Sequence, residues 1–370
     1  MKIIYIQNRS LLLITWILIT SCFITCTNKL QLPAAKPLGP AYGGRITGIA
    51  PDIEDPNKLA VSGPGGGVWV TKDNGANWTE LWKGLNDPTI CHLEFDLLNP
   101  KRLYAISPST LFAIDDPFGN PSEWIELAGG TESGQVPLPP SRMLFRTSYG
   151  FQQLDLGNGK RAIIWARSGT GMYYSFEGKT FKRHDPITSD STKAEAFITT
   201  IGVDGKNRVY FGTLFPQKTW ETSVYRSKSN WTQDNPSLSW EKVTTGLQDR
   251  SEVLDMAWMS TPKKMALLVN EIDQKSSQVY FMDLGATAWK PTKSKLPSPN
   301  AAPTCITSLG GNRLIVGAIV NWMTTDLGKT WNDIDWREDH PDIRVIVRKN
   351  YSKLKKDYVW KASDGYRYFR

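Results

Sequence analysis

Two eight-residue stretches in opposite halves of the chain obey one rule, S/T-x-D-x-G-x-x-W: Thr71-Lys72-Asp73-Asn74-Gly75-Ala76-Asn77-Trp78 and Thr324-Thr325-Asp326-Leu327-Gly328-Lys329-Thr330-Trp331. The rule has a mechanical basis. An aspartate can bond the backbone amides of its own turn and a glycine supplies positive φ, so the pair closes a tight hairpin. The Trp then starts the next strand and packs on the neighbouring sheet. Thr71, Asp73, Gly75, Trp78, Thr324, Asp326, Gly328 and Trp331 are therefore expected to be structural, with no metal and no catalysis at Asp73 or Asp326. Weaker copies run over 174–181, with Phe176 in place of the aspartate, and over 283–289, with one residue too many; two further units keep only Trp124 and Trp240.

The marker aromatics at 78, 124, 181, 240, 289 and 331 lie 46, 57, 59, 49 and 42 residues apart, near the roughly 40–50-residue period of four-stranded propeller blades. A second register agrees: Arg45–Asp52 followed by Asp55-Pro56 aligns without a gap on Thr89–Asp96 followed by Asn99-Pro100. Seven short apolar or β-branched runs repeat this first-strand position, at 45–50, 89–95, 142–147, 197–203, 253–259, 304–309 and 343–348. No helical period is sustained after the N-terminus. The expected fold is all-β, a seven-bladed β-propeller of four-stranded antiparallel blades. The seventh unit runs out of chain at three strands, so the segment around Leu30 to Ala35 is expected to close the last blade, with Pro33 tolerable on an outer edge.

Residues 1–22 carry Lys2 and Arg9, no acid, and an uncharged run from Leu11 to Thr20, about the length of a signal-peptide core and half of a membrane span. The run ends in Ile19-Thr20-Ser21-Cys22, which resembles a bacterial lipobox. This divides the chain into a signal peptide, 1–21, a Pro-rich tether, 22–42, that begins at an acylated Cys22, and one propeller domain, 43–370. The expected location is the cell envelope of a bacterium, exported and lipid-anchored, with Phe23 after Cys22 resembling outer-membrane sorting. Cys91 and Cys305 fall in units two and six, too far apart in a ring of seven to bridge, and are expected as buried free thiols.

The stretches GGRITGIAPDIEDPNKLAVSGPGGGVWVTKDNGANWTEL and LIVGAIVNWMTTDLGKTWNDI resemble Asp-box (BNR) propellers, a group that includes sortilin-type, xyloglucanase-like, sialidase and photosystem-assembly-factor-like proteins. The resemblance implies the fold and leaves the activity open. In the xyloglucanase-like family a catalytic aspartate lies in a stretch resembling T-D-I-G-G-A-Y; here Gly63 takes its place in Ser62-Gly63-Pro64-Gly65-Gly66-Gly67-Val68. The sialidase R-I/L-P motif is approached only by Arg45-Ile46-Thr47. Asp342 and Asp255 remain as carboxylates near a channel mouth, which keeps a divergent glycoside hydrolase or lyase as the alternative.

The favoured expectation is non-catalytic binding of a protein or glycan at the face formed by the fourth-to-first and second-to-third strand loops. Gly43, Gly44, Arg45, the Gly63–Gly67 loop, His92, Arg142, Arg167, Trp220, Trp322, Asp342, Arg344 and Asp364 are placed there. Trp220 and Trp322 are candidates to stack on a sugar or anchor a peptide. His92 and Cys91 are strand neighbours, so they point apart and cannot form a nucleophile pair. No cofactor and no metal are expected: His92, His184 and His340 are scattered, and the common nucleotide, zinc-protease and serine-hydrolase motifs are absent. The net charge of +8, from 44 basic and 36 acidic residues, invites a nucleic-acid reading. Nine Lys/Arg and three Asp in 341–370 account for most of it, and the run YSKLKKDYVWK reads as one solvated face of a hairpin, so nucleic acid is not expected. The ring is expected to be a monomer.

Overall fold

The computed structural model describes residues 37–38, 45–63, 65–129, 150–167, 171–184, 197–215, 221–233, 235–297, 303–334, 343–363 and 368–369. They form a β-propeller of four-stranded antiparallel blades, present as seven four-stranded sheets. The first strands are Gly48–Pro51, His92–Phe95, Phe151–Gly157, Phe197–Val203, Ser251–Met259, Cys305–Gly310 and Ile343–Tyr351. In the first six sheets the strands follow in chain order, so each is a meander of three hairpins. In the last, Pro37–Leu38 pairs with Tyr368–Phe369, in the register Pro37↔Phe369 and Leu38↔Tyr368. The pairing segment thus lies a few residues nearer the body than Leu30 to Ala35, which fall outside the described residues. Proline suits this position because an outermost strand leaves one edge without a partner.

Neighbouring sheets meet through apolar cores. Leu93 and Phe95 pack with Ala50 and Val70 between the first two sheets, and Phe151, Ile163 and Trp165 join Cys91 and Tyr104 between the second and third. Ile49, Leu59 and Val61 of the first sheet also pack with Val345, Tyr351 and Trp360 of the last, so the first and last sheets are in contact.

The third unit departs from the sequence expectation. Its first strand is Phe151–Gly157, not 142–147, which lies outside the described residues. Gly157, Asn158 and Gly159 all have positive φ (77°, 53° and 67°), and the hairpin turns there onto Lys160–Arg167. Asn-Gly between two apolar runs is a strong hairpin signal, so the turn was legible.

Both T-x-D-x-G-x-x-W stretches form the same turn. Thr71 Oγ1 donates to Asp73 Oδ1 (2.8 Å) and accepts from Gly75 N, while Asp73 accepts from Asn77 N (2.9 Å) and Asn77 Nδ2 (2.7 Å). Asp326 does the same with Thr324, Thr330 N and Thr330 Oγ1. The Asn77 amide, then its side chain and the Thr71 hydroxyl, hold the Asp73 carboxyl down at about 2.

Four of the marker tryptophans staple their sheet to the one before it. Trp124 Nε1 donates to Leu81 O (3.0 Å), Trp289 Nε1 to Val243 O (2.7 Å) and Trp331 Nε1 to Ser294 O (3.2 Å). Trp240 Nε1 reaches His184 Nε2 at 3.1 Å. A glycine makes room for two of these staples: a Cβ on Gly84 would lie 2.5 Å from Trp124 O, and one on Gly246 2.1 Å from Trp289 O. Gly84-Leu85 and Gly246-Leu247 are thus a further repeat, placed just after the outer strand.

Candidate functional site: the central channel

The first strand of each sheet has a free edge and side chains that face the centre of the ring. Asp255 marks this space. A bulge between Val253 and Asp255 interrupts its strand, and bulges re-aim side chains. The bulge sets Leu254 in a core cluster with Ile306 and Trp322, while the Asp255 carboxylate accepts from Ile306 N of the sixth sheet (2.9 Å), from Thr200 Oγ1 of the fourth (3.2 Å) and from Met256 N (2.8 Å). One side chain therefore ties three consecutive blades. Burial pushes its pKa up to about 6, against the pull of the Ile306, Met256 and Thr200 donors and of His92.

The influence of His92 is informative because the second and fifth sheets are not neighbours, so the interaction crosses the channel. His92 Nε2 lies 3.3 Å from Glu94 Oε2, and its ring leans on Phe151 at 5.8 Å. Gln153 of the third sheet donates to Glu94 Oε1 (2.9 Å) and to Phe95 O (2.7 Å). Lys349 of the seventh sheet interacts with Glu94 and Asp52, and burial, outweighing both, lowers its pKa. The channel thus carries an acid–amide–imidazole cluster of Glu94, Gln153 and His92, with Lys349 and Asp255 contributed by other sheets. Such a lining can grip a polar or charged chain end and offers proton donors and acceptors.

The anticipated residues fare unevenly. His92 opens the second first-strand, Arg45 lies just before the first, and Arg344 sits at a bulge in the seventh, so these three share the end where first strands begin. Arg45 and Arg344 are half-buried. Arg167 ends the strand Lys160–Arg167; its side chain, with Cys22, Gly43, Gly44, Arg142, Trp220, Asp342 and Asp364, lies outside the described residues. Trp322 needs correction as a stacking candidate: it begins the strand Trp322–Thr324, is 9% exposed, and packs between the fifth and sixth sheets. An indole that fills a gap between blades has no face left for a ligand.

Cys91 and Cys305 are buried, and neither is part of a disulfide among the described residues. Burial, reinforced by Asp255, pushes the Cys305 thiol up to about 12. Among the described residues no cluster of three His, Cys, Asp or Glu side chains is placed to hold a metal. Sequence reading singled out Asp255 and His92 but missed Glu94, Gln153, Thr200 and Lys349, because their partners come from other blades.

The fold and channel define a β-propeller with a polar lumen, and comparison with solved structures agrees on the fold. The chain is similar to YCF48 from Cyanidioschyzon merolae, with TM-score 0.59 and 12% identity, covering 91% of this chain and 98% of that one. It is similar to YCF48 bound to D1 peptide, with TM-score 0.57 and 12% identity over 92% and 97%. It is also similar to an ancestral GH74 enzyme, with TM-score 0.64 and 16% identity over 91% of this chain, but spans only 46% of that enzyme. No family model and no curated protein matches the sequence.

Proposed function

We propose that the protein is an exported, lipid-anchored propeller that binds a polypeptide at the end of the channel carrying Arg45, His92 and Arg344, without catalysing a reaction. The observation that carries this reading is the end-to-end likeness to YCF48, including its peptide-bound form. The ring is read as seven blades closed by the N-terminal segment, supported by seven sheets and by the pairing of Pro37–Leu38 on the last strand. Acylation at Cys22 rests on the Ile19-Thr20-Ser21-Cys22 sequence. The test places a photo-crosslinking amino acid at position 344 in the full-length protein within cells. A discrete polypeptide adduct, lost in His92→Ala, is expected; crosslinking to glycan alone refutes the reading. Mass spectrometry of the mature N-terminus tests the anchor, and any start other than acylated Cys22 removes it.

The glycosidase reading has one observation in its favour: Asp255, holding its proton up to about 6, is in the range of a general acid. Gly63 speaks against a two-acid mechanism of the xyloglucanase-like type. A Cβ there would lie 2.2 Å from Arg45 O, so the backbone has closed over the space an aspartate needs. Release of reducing ends from β-glucans, lost in Asp255→Asn, would establish the enzyme reading.

A further inference from the structure

The end of the ring opposite Arg45, His92 and Arg344 carries the turns between first and second strands, and the seventh blade differs there from the rest. In the first six sheets the turn between third and fourth strands lies at the same end, Thr71–Trp78 and Thr324–Trp331 among them. The seventh sheet has Pro37–Leu38 as its fourth strand instead. Pro37 and Lys361 both pair with Phe369, while Leu38 and Ala362 pair with Tyr368, so this strand starts on the side of the hairpin Tyr351–Lys356 and runs away from it. At the tip of that hairpin Ser352–Leu354 form one 3-10 turn, which Lys355 closes in the left-handed region at φ 52°. Beneath the turn Tyr351, 4% exposed, donates to Asp52 O of the first sheet (2.6 Å) and packs edge-on against Tyr358 and Trp360. The braced turn holds Leu354 48% exposed, with Lys353, Lys355 and Lys356 exposed around it.

Charge at this end is uneven. The turns between first and second strands contain Lys263 in the fifth blade, Gly311-Asn312 in the sixth, and Lys353 and Lys355 in the seventh, with no acid in any of the three. Asp357, the first acid beyond the seventh-blade turn, is neutralised by Arg348 (2.8 Å) and bonded by Asn350 (2.6 Å). Lys353 has Glu54 of the first blade at 3.9 Å, but the side chains are 88% and 67% exposed, and such a pair is worth little. An exposed leucine ringed by cations suits a bilayer surface, where lipid phosphates take the ammonium groups and the interface takes the apolar side chain. We infer that the Tyr351–Lys356 hairpin docks on the surface of an anionic phospholipid bilayer and turns the Arg45, His92 and Arg344 end of the channel away from the membrane. The inference rests on reading Cys22 as the lipid anchor. Fourteen residues, 23–36, join Cys22 to Pro37, a reach of at most about 50 Å, so the anchor supplies a high effective concentration and the hairpin sets the orientation. An acidic polypeptide would match the charge but offers Leu354 no apolar layer, and the entry of the chain at this end favours the bilayer.

The test places an environment-sensitive fluorescent amino acid at position 352 of the intact acylated protein, or at position 66 at the opposite end as a control. The protein is reconstituted on vesicles of phosphatidylcholine alone or with about 30% phosphatidylglycerol. A blue shift is expected at 352 on the anionic vesicles and none at 66. The ratio of docked to undocked probe should fall at least tenfold when Lys353, Lys355 and Lys356 are all changed to Gln, since each lysine at an anionic surface is worth about fivefold. Leu354→Asp should lower it as well. Sodium chloride at about 0.5 M should reverse the shift in the unaltered hairpin, which keeps the test open if a variant does not fold. Failure of the protein to float with neutral vesicles removes the anchor reading. A water-like probe at 352 on anionic vesicles that do float with protein overturns the docking inference alone. An equal shift at 66 or on neutral vesicles also overturns it, as does a shift produced by polyglutamate and not by anionic lipid, which assigns the hairpin to an acidic polypeptide.

Discussion

Asp255 gives the fold a pH dependence opposite to that of an ordinary ion-paired carboxylate. Its pKa rises from the usual 3.8 to about 6 on folding because burial disfavours the charge more than the Ile306, Met256, Thr200 and His92 contributions favour it. Between those values the native state binds more protons than the unfolded chain, so stability falls as pH rises. The contribution is fully present below about 3.8 and is lost as pH passes through about 6. At about 1.4 kcal/mol per pH unit the whole effect is at most about 3 kcal/mol, and less to the extent that channel water reaches the oxygens. The assay is urea unfolding of wild type and Asp255→Asn at a series of pH values from 4 to 8. The difference isolates this group from carboxylates such as Glu271, which is lowered despite its burial by Lys295 and Tyr280. The wild type should lose stability relative to the variant as pH rises from about 4 to about 6, with half of the change reached at about pH 5 and a plateau above. A flat difference, or one that grows in favour of the wild type with pH, would refute the assignment of burial as the dominant cause.

Four other outcomes check the packing and turns of the ring. Trp124→Ala removes a staple that is 4% exposed and bonded to Leu81 O, and should cost about 3–5 kcal/mol in unfolding free energy; Gly84→Ala, at φ +85° and facing Trp124 O at 2.5 Å, should cost more than about 1 kcal/mol. The Asp73 carboxyl carbon should titrate near 2 by NMR and move upward in Thr71→Val, whereas titration near the ordinary 3.8 would dissolve the turn argument. Cys91 and Cys305 should resist a water-soluble disulfide reagent at pH 8 until the chain unfolds, and stoichiometric labelling of the native protein would contradict their burial.

What the sequence determined alone is everything confined to one hairpin. The Thr71–Trp78 and Thr324–Trp331 turns, the short first strands and the marker tryptophans were legible because a hairpin satisfies its donors within a few residues. Gly157-Asn158-Gly159 belongs to the same legible class, and its turn places the third first-strand at Phe151–Gly157 rather than 142–147. Tertiary structure decided what lies between blades. Trp322 became a packing residue because two sheets close over it. Asp255 acquired its character from Thr200 and Ile306, 55 and 51 residues away in sequence. Local turn chemistry is written in adjacent letters, but the charge environment of a channel is a sum over several blades, and it is defined only once the ring brings them together.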